Sequence, residues 1–296
     1  MTEVAGGWVQ PLVASMRPHQ WVKNGLLFAA IVFAQKLGDP RRVLTVCVAF
    51  ALWCLMASAV YLWNDLFDLE EDRHHPEKAS RPIASGALPV ALARKACAVL
   101  TAAALVGAFA LDGRFGVVML VYAFMNVAYT IRLKHVVILD VMTLAAGFVL
   151  RAVGGGVVIH VEVSPWLVIC TILLALFLGF GKRRHELVLL EGRAAEHRKI
   201  LDEYSPYFLD QMISVVTAST VVAYCLYTLS PEVASKLHVR HLYLTVPFVL
   251  YGIFRYLYLV HQKGQGGNPS KVLLTDPPLI TTIALWLLTA TIILYR

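Results

Sequence analysis

The chain has 296 residues, 58% apolar and 15% charged, with a formal net charge of +7 and a mean hydropathy of +0.67. Soluble domains average about 45–50% apolar and about 25% charged residues, so a water-soluble fold of this composition would lack the polar surface to cover itself, and a bilayer is the solvent that fits. The same numbers exclude a disordered chain, and 19 Gly, 13 Pro and 5 Cys exclude collagen-like and disulfide-scaffold chains.

Nine apolar runs approach the roughly 20 residues that a helix needs to cross the hydrocarbon. They are residues 22–35, which is short, then 43–63, 88–111, 115–131, 136–158, 165–180, 212–229, 242–260 and 279–294. Residues 1–7 hold no basic stretch followed by a cleavage site, so the first helix is expected to direct insertion. Lys and Arg set the expected orientation. With the N-terminus inside, 17 of the 26 fall in cytoplasmic segments, seven fall outside, and Arg151 and Arg255 lie within helices. That topology puts the two longest polar segments, residues 64–88 and 181–211, on one cytoplasmic face. No low-complexity tract or linker divides the chain, so the expectation is one all-α, polytopic membrane domain over residues 1–296. Cys47, Cys54, Cys97, Cys170 and Cys225 are scattered through apolar runs without CxxC spacing and read as packing residues.

The chemistry-bearing run begins where the second span ends. Asn64, Asp68 and Asp72 recur at four-residue intervals and Asp65 sits three before Asp68, so on a helix all four project from adjoining strips of one face. Like charges stacked this way repel, and a bound cation offsets the repulsion; oxygen ligands suit Mg²⁺ bridging to substrate phosphates. The alternative is a solvated helix end whose acids pair with Arg73, Lys78 and Arg81. The run starts at the membrane boundary, where ionisable groups are costly and commonly functional, which favours the metal reading. Pro76 ends the helix, and Lys78 and Arg81 then lie on a loop able to fold back over the acids and donate to a phosphate. Nucleic acid is not expected as a partner, since the positive charge is spread over short loops with no soluble module to enter a groove.

The run from Asn64 to Gly86, NDxxDxxxDxxHPxKxxRPIASG, together with nine spans and a second polar loop, resembles the UbiA-type intramembrane prenyltransferase superfamily. The resemblance implies a helical bundle around a central cavity open to the cytoplasm, with a Mg²⁺–diphosphate site. Three further segments are similar to the decaprenyl-phosphate phosphoribosyltransferase branch of mycobacteria and relatives: Arg17 to Asn24, Leu139 to Arg151, and Gly181-Lys182-Arg183-Arg184-His185-Glu186. That branch implies Mg²⁺-dependent transfer of a 5-phosphoribosyl group from phosphoribosyl diphosphate to decaprenyl phosphate at the cell membrane, a precursor step for cell-wall arabinan. Aromatic prenyltransferases of the superfamily carry a second DxxxD motif in the loop between the sixth and seventh spans. Here that loop has the Lys182 to Glu186 cluster, with Glu191 one residue beyond the expected spacing. Clustered Lys and Arg suit direct binding of further phosphates. The departure counts against the nearest rival, prenyl transfer onto an aromatic acceptor; a transporter of a phosphorylated metabolite, the second rival, predicts internal repeats that the sequence does not show.

Within that resemblance Asn64, Asp65, Asp68 and Asp72 are the expected Mg²⁺ ligands, with Asp65, Asp68, Asp72, Lys78 and Arg81 stabilising the leaving diphosphate. Tyr129 and Lys134 fall in a YxxxLK-type segment and are assigned to phosphate contact, with anchoring at the lipid interface as the alternative. Asp140 and Arg151, eleven residues or about three turns apart, share one face of the fifth helix with Gly147 between them. Both are expected to face the cavity, Asp140 near the ribose hydroxyls or the metal shell. Lys23 and Asn24 are assigned to substrate, against simple positive-inside anchoring for Arg17, Gln20 and Lys23. Lys182, Arg183, Arg184 and Glu186 complete the expected substrate set. His74, His75 and His185 lack ligand spacing and are read as loop residues, the aromatic residues as interfacial or packing, and Asp276-Pro-Pro278 as a helix-start turn or a cover for the site. Acceptor length, the number of metal ions and association into a homo-oligomer are left open.

Overall fold

The computed structural model describes residues 7–75, 78–189, 203–265, 267 and 269–295, and every regular element among them is helical. Apart from 3₁₀ turns at Lys78–Ser80, Leu133–His135 and Leu242–Thr245, they are in chain order α1 (Val9–Met16), a 3₁₀ stretch (Pro18–Leu26), α2 (Leu27–Phe33), α3 (Pro40–Phe67), α4 (Leu69–His74), α5 (Val90–Leu111), α6 (Gly113–Ile131), α7 (Leu139–Val158) and α8 (Pro165–Leu189). They continue with α9 (Pro206–Leu229), α10 (Pro231–Leu237), α11 (Val246–Lys263), α12 (Pro269–Thr275) and α13 (Pro277–Tyr295). Capping residues explain several starts. Asp39 accepts from the amides of Arg41 and Arg42 with Pro40 in the first turn of α3, Asp112 accepts from Phe115 at α6, and Ser205 accepts from Phe208 at α9.

Among the described residues eight helices are long and apolar enough to cross a bilayer, which makes the chain a multi-pass membrane protein. The first expected span, residues 22–35, is not among them. Its polar first half winds as 3₁₀ helix from Pro18 and only seven residues, Leu27–Phe33, form α2. The lipid-facing pattern is plain on α5, which exposes Val99, Val106 and Phe109 while burying Ala93, Ala104 and Ala108. Small residues inward and large ones outward let helix backbones approach.

Two large packed regions dominate the bundle. Trp53, Phe115, Met119 and Leu27 centre one, from α2, α3 and α6; Phe177, Leu209, Ile213 and Tyr256 centre the other, from α8, α9 and α11. Helix α7 packs on α2, α6 and α8 and so joins them. The contact with α2 depends on Gly155, because a Cβ there would stand 2.0 Å from the Leu27 carbonyl oxygen.

Between the two regions lies a cavity of about 2590 Å³. One end holds the residues of the acidic motif. Towards the opposite end aromatic rings cluster: Phe33 is 6.4 Å from both Tyr227 and Trp286, and Trp166 is 6.4 Å from Tyr227. Trp286 Nε1 donates to the Tyr224 hydroxyl at 2.7 Å. Trp166 and Trp286 therefore line the cavity, and Trp53 is a fully buried core residue.

Candidate active site

The acidic motif straddles a kink. Helix α3 ends at Phe67 and Asp68 leaves helical geometry (φ −89°, ψ 13°), but Asp68 N still donates to Asn64 O at 2.9 Å and Asp72 N to Asp68 O at 2.8 Å. The four-residue register thus passes from α3 into α4, which ends at His74; Pro76 and Glu77 lie outside the described residues. The segment beyond folds back as expected. Arg81 Nη1 lies 3.0 Å from Asp65 Oδ1 and 2.6 Å from Asp72 Oδ2, and Lys78 Nζ is 3.9 Å from Asp72. Arg73 instead pairs with Glu70 at the surface.

Two further cations reach the same acids from distant sequence. Arg17, held in a left-handed conformation (φ 53°) between α1 and the 3₁₀ stretch, places Nη2 2.5 Å from Asp65 Oδ1 and lies over the Tyr61 ring at 4.9 Å. Lys134, on a 3₁₀ turn after α6, places Nζ 2.5 Å from Asp68 Oδ1. The Thr130 hydroxyl donates to Asn64 Oδ1. Arg17 was expected only to anchor, and Tyr61 and Thr130 were not singled out; the Arg17–Asp65 pairing spans 48 residues, and no local pattern announces it.

Asn64, Asp65, Asp68, Lys78, Arg81, Tyr129 and Lys134 line this end of the cavity, and Lys23, Arg151, Lys182 and Arg183 line it further along. Five of the expected residues are placed away from the cavity lining. Asp72 does not line the cavity: it is buried, with Arg81 and Lys78 on its carboxylate. Asp140 is fully buried and faces protein, accepting from Arg183 Nε at 2.7 Å and from the Tyr204 hydroxyl at 2.8 Å. Arg184 turns away to Asp210 on α9. Glu186 is taken up by Arg183 and by Lys182, 3.6 Å away. Asn24 is buried as well, accepting from Arg151 Nε at 2.8 Å and donating to Cys54 Sγ at 3.3 Å, so it fixes Arg151. Glu191 lies outside the described residues.

Tyr204 is a residue that sequence reasoning missed. It returns the second polar segment to the bundle, accepting from the amide of Ile138 at 2.7 Å while donating to Asp140. Ile138 has φ 68°, a rare conformation for a β-branched residue. Burial pushes the Tyr204 hydroxyl well above its ordinary range and the Asp140 contact adds to this, so it stays a donor. His74 and His75 stand at the cavity edge, and Asp276 caps α13 through the Leu279 amide at 3.0 Å. Arg255 Nη2, 2.8 Å away, holds the Asp276 carboxyl below the usual carboxylate range.

Lys23, half-buried on the cavity wall and outside the eight spans, is lowered to about 7, first by loss of water and then by the fields of Lys182, Arg151 and Arg17. Cations thus outnumber acids along this wall. Among the described residues no three His, Cys, Asp or Glu side chains converge on one point. Asn64, Asp65 and Asp68 nevertheless present hard oxygen donors to the cavity beside four cations, a donor set that fits Mg²⁺ sharing its coordination with phosphate oxygens and water.

A multi-pass helical bundle with an acid-and-base cluster at one end of a deep cavity is the framework of an intramembrane transferase for anionic substrates. The chain belongs to the UbiA prenyltransferase family, whose sequence model matches residues 25–273. It is 35% identical to the decaprenyl-phosphate phosphoribosyltransferase of Corynebacterium glutamicum over 93% of this chain and 84% of that protein. It is 34% identical to the enzyme of the same name from Mycolicibacterium smegmatis over 94% and 91%. The fold matches a UbiA homolog from Archaeoglobus fulgidus, solved with GPP and Mg²⁺, with a TM-score of 0.71 over 97% of this chain and 100% of that one, at 18% identity.

Proposed function

We propose that the protein transfers the 5-phosphoribosyl group of phosphoribosyl diphosphate to decaprenyl phosphate, giving decaprenylphosphoryl-5-phosphoribose and diphosphate for cell-wall arabinan. The observation that carries this reading is the excess of cations on the cavity wall, where Lys23, Arg151 and Lys182 extend the basic lining beyond the acidic motif. One diphosphate is served by the motif and its own Lys78 and Arg81. The additional cations fit a donor and an acceptor that each bring a further phosphate. The names of the relatives point the same way.

The reaction is substitution at the ribose anomeric carbon. The acceptor phosphate oxygen forms a bond to that carbon as the bond to diphosphate breaks and the electron pair leaves with it, through a cationic transition state like that of glycoside cleavage. Asn64, Asp65 and Asp68 would hold Mg²⁺, which when bound supplies charge neutralisation of the leaving diphosphate. Arg17, Lys78 and Lys134 would leave their aspartates, and Arg81 would give up Asp65 alone, to donate to phosphate oxygens. Asp72 retains Arg81, and Asp140 with Tyr204 positions Arg183. The acceptor is already an anion at neutral pH, so alignment rather than a strong general base supplies the rate. The acidic end faces the cytoplasm of the cell membrane, as the distribution of Lys and Arg favours.

The test is a radiolabel assay on the purified chain with Mg²⁺, decaprenyl phosphate and labelled phosphoribosyl diphosphate. Label entering the lipid fraction is expected. Its absence, with prenylation of an aromatic acceptor under matched conditions, overturns the reading.

A further inference from the structure

Arg151 is a buried cation without a counter-charge. Its guanidinium donates to Asn24 Oδ1 at 2.8 Å, Gly147 O at 2.7 Å and the Tyr122 hydroxyl at 2.9 Å, and it lies 4.9 Å from the Tyr122 ring centre. Every one of these acceptors is neutral, and no carboxylate among the described residues pairs with it. Its place is fixed rather than incidental, since Asn24 is itself anchored on Cys54, three turns or about 16 Å below Asp65 along α3. Lys23 lines the same cavity as Arg17, Arg151 and Lys182, and forms no hydrogen bond or ion pair with the described residues. Lys182 is partly compensated by Glu186. Charge without a counter-ion inside a membrane protein is costly and characteristically marks a substrate or ion pathway.

Polarity decides which ligand. Towards Asp65 and Asp68 the cavity wall is charged. Along α8 the lining passes from Lys182 to Leu178 and Leu174, and α2 contributes Phe28 and Val32 before the aromatic floor. Lys23 and Arg151 therefore sit where a charged mouth meets an apolar chamber. A phosphoribosyl diphosphate is polar throughout and gains nothing from the apolar side, whereas a lipid phosphate has its charge and its chain arranged in this order.

We infer that Lys23 and Arg151 form the seat of the acceptor's phosphate monoester, with the prenyl chain running from it into the apolar chamber. The inference rests on the transfer proposed above and adds which substrate these two cations bind. The donor's diphosphate is left to the acidic motif.

The test measures equilibrium binding of farnesyl phosphate, farnesol, and phosphoribosyl diphosphate with Mg²⁺ to the full chain in lipid nanodiscs, as wild type, Lys23→Gln and Arg151→Gln. Loss of a charge-assisted hydrogen bond should weaken farnesyl phosphate about tenfold or more in each variant. Farnesol binding should be unchanged, and phosphoribosyl diphosphate binding should change by less than about threefold. Lys23→Gln guards against a folding artefact, because Lys23 makes no contact that holds the fold. Three results overturn the seat: weakened phosphoribosyl diphosphate with farnesyl phosphate retained, wild-type binding of both in both variants, or equal loss of farnesol and farnesyl phosphate. If the wild type binds farnesyl phosphate through Lys23 but transfers no phosphoribosyl group, the proposed function falls and the seat stands. If transfer occurs and the variants raise only the donor's KM, the seat falls and the function stands.

Discussion

Asp68 and Asp72 carry the same charge in the same motif, yet their surroundings separate their roles. Asp68 is partly exposed to the cavity beside Lys134, whereas Asp72 is buried against Arg81. Asp68→Asn should leave the protein folded and cut transfer about a hundredfold or more, the size of effect expected when one electrostatic stabiliser of a developing charge is lost. Asp72→Asn should act through Arg81, raising the donor's KM and lowering stability by about 1–3 kcal/mol. Steady-state kinetics against both substrates and thermal unfolding in detergent separate the two; a collapse of kcat at unchanged donor KM in Asp72→Asn would place Asp72 on the metal. Lys23 offers a pH readout. With its folded value lowered to about 7 against about 10.4 in an unfolded chain, the unfolded state holds more protons between those values, so this group adds stability as pH rises through that interval. Its charge in the free protein is lost as pH climbs through 7. NMR of the ¹³C-methylated chain should show one lysine resonance with a midpoint near 7 that moves upward when farnesyl phosphate binds; a free-protein midpoint of about 10 contradicts this.

Two elements hold the site in place through contacts a neighbouring-residue pattern does not reveal. The 3₁₀ stretch and α2 carry Lys23 and Asn24, and α2 lies against α7 only because residue 155 has no side chain. Gly155→Ala should cost about 1–3 kcal/mol from overpacking and impair transfer, whereas Gly113→Ala, with open space around its Cβ, should be near neutral. Thermal unfolding and turnover of both variants check the contrast. Tyr204→Phe should unseat the return of the second polar segment, leaving the Ile138 amide and one Asp140 oxygen without a partner, at about 1–3 kcal/mol. The acidic run was legible in sequence because its logic is local: four-residue spacing survives the kink at Asp68. Its partners were not, because Arg17 reaches Asp65 across 48 residues, Arg183 reaches Asp140 across 43 and Arg151 reaches Asn24 across 127. For the same reason Asp140, from its place on one face with Arg151, and Arg184, from its basic cluster, read as cavity residues, although Asp140 is buried against Arg183 and Tyr204 and Arg184 pairs with Asp210.

Across the whole molecule, hydropathy located eight spans because a helix in hydrocarbon must satisfy its own backbone and be apolar along its length. The first run breaks that rule because Lys23 and Asn24 interrupt it and bring polar groups to the interior. Orientation is open to a direct check. In a cysteine-free background, Glu70→Cys beside the motif and Glu162→Cys at the opposite end, both exposed, should react with an impermeant maleimide from opposite sides. Glu162→Cys is expected to label in intact cells and Glu70→Cys only after permeabilisation; the reverse would turn the molecule over.

The pairing of Asp65, Asp68 and Asp72 with Arg17, Arg81, Lys78 and Lys134 has a consequence for selectivity. In the ligand-free protein the three carboxylates are all paired with cations, so a lone anion must compete with internal carboxylates for the Arg and Lys side chains, and a lone cation must compete with those side chains for the carboxylates. A metal and a diphosphate arriving together satisfy both sets at once and leave the net charge of the pocket almost unchanged. Under the proposed transfer, binding at this end would be an exchange of counter-ions that discriminates against inorganic phosphate or free Mg²⁺ and favours the metal–diphosphate pair as a unit.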